Sequence, residues 1–378
     1  MHALFITPVV PSNTGNGLAM RAGMWLEALS ARFETDVAGA LMFPAHASAP
    51  EFTAAHAAST TWLTGQIATG TGIPRFVPEL DESSTAALRA LIAQADVVVV
   101  FRLYLAGLAE HAAELGTPVV VDLDDLDWVR EERLGDIQAA ADFKTYADSM
   151  LHVATVATTA SASDATQGVS IHAGPQWQHV PNGVRPPSVN SAEVAVDIDL
   201  LFVATLGYAP NAQGAAWFVH EVLPLLPDVT VAIIGAGPGP DVTSLAGSRV
   251  VVAGDVPDVS PWYARSRAAI VPIHSGSGTR TKIPEAWAHG LPVISTTMGA
   301  EGLEIDGAAL LADDAAAFAS VCARVLTDEA LSTQLSRAGA ERLHTAHSLE
   351  RAMDLADAAI DLALATAGTN PPPSRIRT

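Results

Sequence analysis

A continuous apolar run, Val97-Val98-Val99-Val100-Phe101, stands between polar segments in the first half of the sequence. The run is far shorter than the roughly 20 residues that a membrane-spanning helix needs, so it indicates a strand buried on both faces. Helical patterns separate it from other runs of the same kind. This alternation is typical of βαβ units and predicts a parallel sheet covered by helices.

Two series of such units follow one another along the chain. In the first, strands are predicted near residues 3–7, 35–38, 96–101, 118–122 and 153–158, with helices near 18–32, 85–93 and 106–115. In the second, strands are predicted at 200–204, 229–235, 249–253, 268–272 and 292–296, with helices at 211–225, 261–265 and 282–288. From 313 to about 365 the pattern is nearly all helical. The 378 residues therefore suit two doubly wound domains.

The pattern breaks near Val180-Pro181-Asn182-Gly183-Val184, and a polar, proline-bearing stretch then runs to about residue 197. We interpret that stretch as a linker. The predicted domains are 1–183 and 184–347, with a helix at about 348–366 packing back on the first domain. The proline-rich, basic residues 367–378 are expected to be a disordered tail.

The formal net charge of −21 argues against nucleic acid and anionic membranes as partners, because both need a basic face. The single cysteine, Cys322, rules out an intramolecular disulfide and lies in a helical stretch, so it reads as a core residue. The N-terminus enters an apolar strand without a basic flank or a cleavage site. We therefore expect a cytoplasmic protein without a stable membrane anchor, either a monomer or a homodimer.

The densest chemical signal is the segment His274-Ser275-Gly276-Ser277-Gly278-Thr279-Arg280-Thr281-Lys282-Ile283-Pro284-Glu285. Its glycines allow the backbone to approach a ligand closely, and the start of the following helix favours a phosphate. Arg280 and Lys282 supply positive charge for a diphosphate, and Glu285 suits the two hydroxyls of a ribose. The alternative is a helix-capping loop with a solvated basic turn.

The helix and strand that follow read Glu285-Ala286-Trp287-Ala288-His289-Gly290-Leu291-Pro292-Val293-Ile294-Ser295-Thr296, and Gly299-Ala300-Glu301-Gly302-Leu303 comes next. This segment resembles the donor-site helix of the GT4 family of retaining GT-B glycosyltransferases, in the branch with a Gly-Thr-Arg-x-Lys loop. The likeness extends to the segments at 180–184 and 233–238, and to the segment at 252–258 with Tyr263, which resembles the loop that meets the nucleobase.

The resemblance implies a GT-B fold, in which two Rossmann-like doubly wound domains face each other across a cleft. It also implies transfer of a sugar from a nucleoside diphosphate donor, most often linked to UDP or GDP, without a metal or other cofactor. The donor-binding residues it implies are Gly15, Asn16, Gly17, Asn211, Gly235, Asp255, Val256, Ser277, Gly278, Thr279, Arg280, Lys282 and Glu285.

Two departures from the family pattern affect the donor site. Members usually carry two glutamates eight positions apart; Glu285 matches the second, whereas Ser277 stands in place of the first. The family often has an arginine and a lysine near residues 206–213, where this chain has Gly207-Tyr208-Ala209-Pro210-Asn211. Arg280 and Lys282 are expected to replace that charge, and the donor sugar cannot be carried over from the family.

A second signal is Val119-Val120-Val121-Asp122-Leu123-Asp124-Asp125-Leu126-Asp127, at the carboxyl end of a strand, where open α/β sheets bind ligands. These acids are suited to holding a divalent metal, acting as a base, gripping a polar acceptor or capping the next helix. By resemblance, Asp124 and Asp125 replace the family's His-Asp pair. The implied acceptor residues are Arg102, Asp122, Asp124 and Asp125, and the implied catalytic residues are Asp124, Asp125, Arg280 and Lys282.

Arginines 102, 130 and 133 are long side chains for which an exposed position is the default expectation. Asp122-x-Asp124 also imitates the metal-binding Asp-x-Asp of the other large glycosyltransferase fold, but a second Rossmann-like half has no place there.

Three other functions remain open at this stage. Gly235-Ala236-Gly237-Pro238-Gly239 follows a strand and partly matches the nicotinamide-binding pattern of an oxidoreductase, although Pro240 stands where the last glycine belongs. The missing first glutamate keeps two more alternatives, a GT-B sugar-nucleotide epimerase and a non-catalytic sugar-nucleotide binder. The composition, rich in alanine and poor in lysine, suggests a bacterial source.

Overall fold

The computed structural model describes residues 1–40, 50–185, 187, 195–276 and 281–368. The strands are β1 (His2–Thr7), β2 (Glu34–Gly39), β3 (Ser59–Trp62), β4 (Gly65–Ile67), β5 (Pro78–Leu80), β6 (Val97–Phe101), β7 (Val119–Asp124), β8 (Val156–Thr159), β9 (Gln176–His179), β10 (Ile198–Val203), β11 (Val231–Gly235), β12 (Val250–Gly254), β13 (Ser266–Val271), β14 (Val293–Ser295) and β15 (Ala309–Leu311).

The α-helices are α1 (Gly17–Ser30), α2 (Pro50–His56), α3 (Glu82–Ile92), α4 (Glu110–Leu115), α5 (Asp127–Arg133), α6 (Ile137–Met150), α7 (Ala162–Ile171), α8 (Ala209–Trp217), α9 (Pro240–Thr243), α10 (Ser260–Ala264), α11 (Lys282–Ala288), α12 (Ala315–Thr327), α13 (Glu329–Arg342) and α14 (Leu349–Thr366). The chain divides into two compact units, one of Met1–Gly183 with Leu349–Thr378 and one of Val184–Ser348.

Unit 1 is built on a parallel sheet that, in the part of the chain described, has the strand order β3-β2-β1-β6-β7-β8-β9. β1 lies between β2 and β6 and pairs with both in parallel, so the crossover direction reverses there. Helices α1 and α14 pack together on one face, whose core includes Trp25 and Ile360. The loops that follow β1, β6 and β7 therefore meet at one carboxyl edge of this sheet.

Unit 2 repeats the architecture with the order β12-β11-β10-β13-β14-β15 among its described strands. β10 pairs in parallel with β11 on one side and β13 on the other. The reversal of strand order falls between β10 and β13, and ligands of open α/β sheets bind at such switch points, outside the carboxyl ends of the strands. The loops after β10 and β13 flank this crevice.

The predicted strands are all present, and most differences lie at their ends. β7 runs two residues past the predicted end at Asp122, because Asp124 still pairs with β8 after a bulge. The helix predicted at 106–115 begins as a 3₁₀ helix at Leu103 and becomes α-helical only at Glu110. Most of the predicted linker, at 186 and 188–194, and nearly all of the predicted tail, at 369–378, lie outside the described residues.

Among the helices of the described ranges, none combines the length and apolar character needed to cross a bilayer.

Gly235 ends β11 and lies against Ala204, the residue that follows β10. Its φ is +148°, and a methyl group added there would lie 1.6 Å from the carbonyl oxygen of Ala204. We expect Gly235→Ala to lower the free energy of unfolding of unit 2 by at least about 2 kcal/mol, because the two strands must separate. Gly247→Ala is the matched control, since an added methyl group there meets nothing within 4 Å. Equal shifts of the urea midpoint in both variants would contradict this prediction.

Candidate functional site

The acidic segment of unit 1 lies at the carboxyl edge of its sheet, and the backbone is unusual there. β7 is buried up to Leu123, and its pairing with β8 shifts between Asp122 and Asp124. Asp124 has a φ of +67°, and Arg102, which directly follows the neighbouring β6, has a φ of +81°. Residues other than glycine rarely adopt this region, and those that do are concentrated at functional sites.

A buried ion pair fixes the start of this segment. Neither Arg21, in α1, nor Asp122 has any exposed side-chain surface. Arg21 donates from Nε and Nη2 to the two oxygens of Asp122, each at 2.7 Å, while Trp25 Nε1 and Thr158 Oγ1 donate to the same carboxylate at 2.7 Å. These donors occupy both oxygens and leave none for a ligand. The structure thus corrects the assignment of Asp122 to acceptor binding: it is the counter-ion of Arg21.

Arg102 is buried too, contrary to the expectation of an exposed arginine. Its Nη1 donates to Asp124 Oδ2 at 3.1 Å and to Asp125 Oδ1 at 2.7 Å, and its Nη2 donates to Asp127. Arg130 Nη2 lies 2.7 Å from the same oxygen of Asp127. Because three carboxylates engage its guanidinium, Arg102 holds the acidic segment in place, and direct binding of an acceptor by Arg102 is not supported.

The two carboxylates assigned to catalysis differ in exposure and in ionisation. The side chain of Asp124 is 21% exposed and that of Asp125 is 12% exposed. Burial raises the pKa of Asp124 to about 6, although Arg21 and Arg102 oppose the shift. For Asp125, burial acts in the same direction but is outweighed by Arg102 and Arg130, which lower its pKa to about 2. Of the two, Asp124 is better placed to meet a ligand.

The loop after β1 lies at the same edge of unit 1. Gly15 is exposed and has a φ of +99°. Asn16 caps α1, because its Oδ1 accepts from the backbone N–H of Ala19 at 3.0 Å. Gly17 is exposed, and an added methyl group would meet no atom within 4 Å. The backbone of this loop is accessible, and its contact with a diphosphate stays a prediction.

In unit 2, hydrogen bonds join three loops at the carboxyl edge of the sheet. The N–H of Leu206, after β10, donates to the carbonyl oxygen of Ala236, after β11, at 2.8 Å. The N–H of Gly237 donates to Asp255 Oδ1, after β12, at 2.9 Å. Asp255 is exposed with a φ of +51°, and Val256 beside it is half-buried. The predicted nucleobase loop is therefore held against the glycine-rich turn that follows β11.

Glu285 lies in the first turn of α11 and is half-buried. Desolvation raises the pKa of its carboxyl group, while Lys282 and a hydrogen bond from Thr281 act in the opposite direction. Burial, together with the nearby charge of Glu285, raises the pKa of the Tyr263 hydroxyl. The Tyr263 ring stacks on His289, with 4.2 Å between centroids and 5° between planes. The residue predicted to bind ribose therefore lies beside the tyrosine of the predicted nucleobase segment.

Asn211 has a structural task in the loop after β10. Its side-chain amide donates to the carbonyl oxygen of Thr205 at 2.7 Å, and the residue is 4% exposed. The amide of Asn211 therefore shapes this loop, and a contact of Asn211 with the donor stays a prediction. Gly276, after β13, is buried with a φ of +96°, and a methyl group there would lie 3.2 Å from Tyr208 Oη. The next four residues, Ser277, Gly278, Thr279 and Arg280, lie outside the described residues.

Residues 197–328 match the family described as "Glycosyl transferases group 1". This range covers all six strands of the unit 2 sheet and the loops just described. A search of curated proteins finds no match.

Solved structures resemble nearly the whole chain. Sucrose-phosphate synthase from Thermosynechococcus elongatus is 16% identical, with a TM-score of 0.69 over 93% of this chain and 96% of that one. HepE from Anabaena, in complex with UDP and glucose, is 13% identical, with a TM-score of 0.64 over 93% and 97%. A UDP-forming α,α-trehalose-phosphate synthase from Burkholderia vietnamiensis is 14% identical, with a TM-score of 0.63 over 96% and 99%.

At these identities the likeness shows the fold, which is GT-B, as predicted from the sequence.

Proposed function

We propose that this protein is a retaining glycosyltransferase of the GT4 type that moves a sugar from a nucleoside diphosphate sugar to a hydroxyl group of a polar acceptor. The observation that carries the proposal is the match of residues 197–328 to glycosyl transferases group 1. The match spans the switch-point crevice of unit 2, and Glu285 and Tyr263 lie together at its carboxyl edge.

The donor side of the reaction is assigned to unit 2. Glu285 is suited to accept hydrogen bonds from both ribose hydroxyls, since a carboxylate has two oxygens with about four lone-pair sites. The loop at Asp255 and Val256 is assigned to the nucleobase. Lys282 and, by the family resemblance, Arg280 supply positive charge for the diphosphate as the glycosidic bond loosens.

The acceptor side is assigned to unit 1, with Asp124 as the residue that meets the acceptor. A carboxylate accepts a hydrogen bond from the attacking hydroxyl and fixes its direction. The new bond forms between the acceptor oxygen and the anomeric carbon, on the face from which the diphosphate departs. The acceptor proton passes to an oxygen of that leaving group, and the nucleoside diphosphate is the second product.

A nucleotide screen by thermal shift tests the donor assignment. The complex of HepE with UDP, and the UDP-forming reaction in the name of the Burkholderia protein, favour UDP as the first ligand to try. A nucleotide at 100 times its dissociation constant stabilises the fold by roughly 2.7 kcal/mol. At equal concentrations the nucleotide that binds most tightly raises Tm the most, and we expect that nucleotide to be UDP rather than ADP or GDP. A rise in Tm with NAD alone, and with no nucleoside diphosphate, would refute the proposal.

The oxidoreductase alternative is less well supported by the fold. The dinucleotide-binding fingerprint belongs to the first βα turn of a doubly wound sheet and leads into a long helix. Here the glycines at 235–239 follow β11, the second strand of unit 2, and precede a helix of four residues, Pro240–Thr243.

Mass spectrometry of a sugar nucleotide, incubated with and without acceptors, distinguishes transfer from epimerisation and from binding without reaction.

A further inference from the structure

Arg21 is a buried arginine of unit 1 with four hydrogen bonds to three residues. It lies in the middle of α1 with no exposed side-chain surface. Besides its two bonds to Asp122, its Nη1 donates to Asn182 Oδ1 at 3.0 Å, and its Nη2 donates to the carbonyl oxygen of Val180 at 2.9 Å. The acceptors lie in β7 and in the segment after β9. Together they fix the orientation of the guanidinium plane of Arg21.

A structural anchor alone does not require this ion pair. Taking two charges out of water is costly, and replacing a buried ion pair with uncharged side chains of similar volume is often neutral or stabilising. The pair of Arg21 and Asp122 is fully buried, and the apolar residues Phe5, Trp25 and Val120 belong to the core on the same side of the sheet. A positive charge at this point therefore calls for an explanation beyond holding α1 against the sheet.

The further contact of Arg21 is with Asp124. Arg21 Nε lies 3.5 Å from Asp124 Oδ1, and Arg102 Nη1 lies 3.1 Å from Oδ2. Each oxygen of this carboxylate thus faces a different guanidinium, one from α1 and one from the end of β6. The backbone φ at Asp124 is +67°.

We propose that Arg21 is the positioning residue of Asp124: through the rigid Arg21–Asp122 pair it fixes the direction of the Asp124 carboxylate and keeps it ionised for the acceptor. This inference rests on the proposed transfer function only for the role of Asp124 in catalysis. The orientation and ionisation of Asp124 are properties of the folded protein and are measured without a substrate.

Several charged groups surround Asp124 and bear on its ionisation. Arg21 from α1 and Arg102 from the end of β6 favour the carboxylate, whereas Asp122 and Asp125 from its own segment oppose it. From the β8 side, the backbone N–H of Ala160 donates to the Asp124 carbonyl oxygen. His179 of β9 lies near this point, with its Nε2 3.1 Å from the carbonyl oxygen of Ala160. Because Arg21 is one of the two cations that favour the carboxylate, its removal is expected to raise the pKa of Asp124.

The test compares three variants: Arg21→Met, Arg21→Lys and the double variant Arg21→Met/Asp122→Asn. We expect Arg21→Met to move the acidic limb of kcat/KM for the acceptor upward by about one pH unit. Below about pH 6 we expect kcat/KM to fall by about 10-fold, and at pH 7 by only about 2-fold, with the KM for the donor unchanged. Arg21→Lys keeps the charge and is expected to keep the limb near its wild-type pH.

The double variant covers the case in which Arg21→Met does not fold, because it removes both charges of the pair together. Asp122 opposes ionisation of Asp124, so this variant is expected to show a smaller upward shift than Arg21→Met. An acidic limb at the wild-type pH in a folded Arg21→Met or double variant overturns the proposal. Loss of stability with no change of the pH profile is the result expected if Arg21 has only a structural role.

A second readout separates this inference from the proposed activity. The difference in urea midpoint between wild-type protein and Asp124→Asn grows from about pH 4, and the pH at which it stops growing reports the ionisation of Asp124 in the folded protein. We expect that pH to rise when Arg21 is replaced by methionine and to stay in place with lysine. If no sugar is transferred under any condition but this pH still moves, the transferase proposal fails and the positioning role of Arg21 stands. If it does not move, the positioning role fails whatever the activity.

Discussion

Asp124→Asn is expected to lower kcat/KM for the acceptor by about 100-fold and, at the same time, to stabilise the protein at neutral pH. The loss of activity follows because a hydrogen bond to a charged group is worth roughly 1.5–3 kcal/mol and the amide provides no charge. The gain in stability follows because burial raises the pKa of Asp124 from its usual 3.8 to about 6. An ionised Asp124 is therefore a cost to folding.

The pH dependence of this stability has a definite sign. Between about pH 4 and pH 6 the folded protein holds the Asp124 proton while the unfolded chain has lost it, so the free energy of unfolding falls as pH rises. A difference of about 2 pH units corresponds to about 3 kcal/mol, which Asp124→Asn recovers above pH 6. Below pH 4 the two proteins are expected to be equally stable. Urea denaturation at pH 3.5, 5 and 7.5 measures the effect.

Asp125→Asn is the matched control, one position along the chain. The pKa of Asp125 is lowered to about 2, so its ionised form stabilises the fold above pH 4, and that stability is lost as pH falls toward 2. We expect Asp125→Asn to destabilise the protein at pH 7.5 by about 2 kcal/mol, because Arg102 and Arg130 lose a counter-ion. If both variants shift stability in the same direction at pH 7.5, the distinction drawn between these carboxylates is wrong.

Glu285→Gln is expected to weaken the binding of a nucleoside diphosphate by at least about 10-fold. The variant keeps the shape of the side chain but replaces one charged acceptor oxygen with an amide, and a charge-assisted bond to a ribose hydroxyl is lost. Isothermal titration calorimetry with UDP measures the change. Glu329→Gln, in the exposed first turn of α13, is the matched control and is expected to bind UDP as the wild type does.

Deoxyribose nucleotides identify the group that Glu285 contacts. The wild-type protein is expected to bind 2′-deoxy-UDP more weakly than UDP, because one of the two hydroxyls is missing. In Glu285→Gln that difference is expected to shrink, since the two changes remove the same interaction. Undiminished discrimination between the two nucleotides in the variant would show that Glu285 does not bind the ribose.

Much of the fold is readable from the sequence because parallel strands are buried on both faces. A continuous apolar run such as Val97–Phe101 shows where a strand lies in the sequence, and only its first and last residues stay uncertain until the structure is known. The short strands β3, β4, β5, β9 and β15 were not predicted. Residues 59–62, 65–67 and 78–80 are largely exposed and carry no apolar run, and β9 and β15 have only four and three residues. Their pairing depends on neighbours that are distant in sequence.

The site was predicted less completely, because its ion pairs join distant residues. The acidic segment was visible, but the partner of Asp122 is Arg21, which lies 101 positions earlier in an apolar helix. The one available signal was the mismatch itself, an arginine among Ala22, Met24 and Trp25 on a buried helix and an aspartate at the end of a buried strand. The expectation that Arg102 is exposed was wrong because its ion pairs with the acidic segment 124–127 bury it, and these pairs form only in the folded chain.

The ends of unit 2 lie side by side. Val184 forms a bridge with Ser348, and its N–H donates to the carbonyl oxygen of His347 at 2.8 Å. On the unit 1 side of the same junctions, a methyl group added at Gly183 would lie 2.8 Å from Leu349 Cα. The chain thus leaves one unit and returns to it at a single point. Residues 184–348 are therefore inserted into unit 1 through two adjacent joins, an arrangement in which one unit can be replaced by recombination without rearranging the sheet of the other.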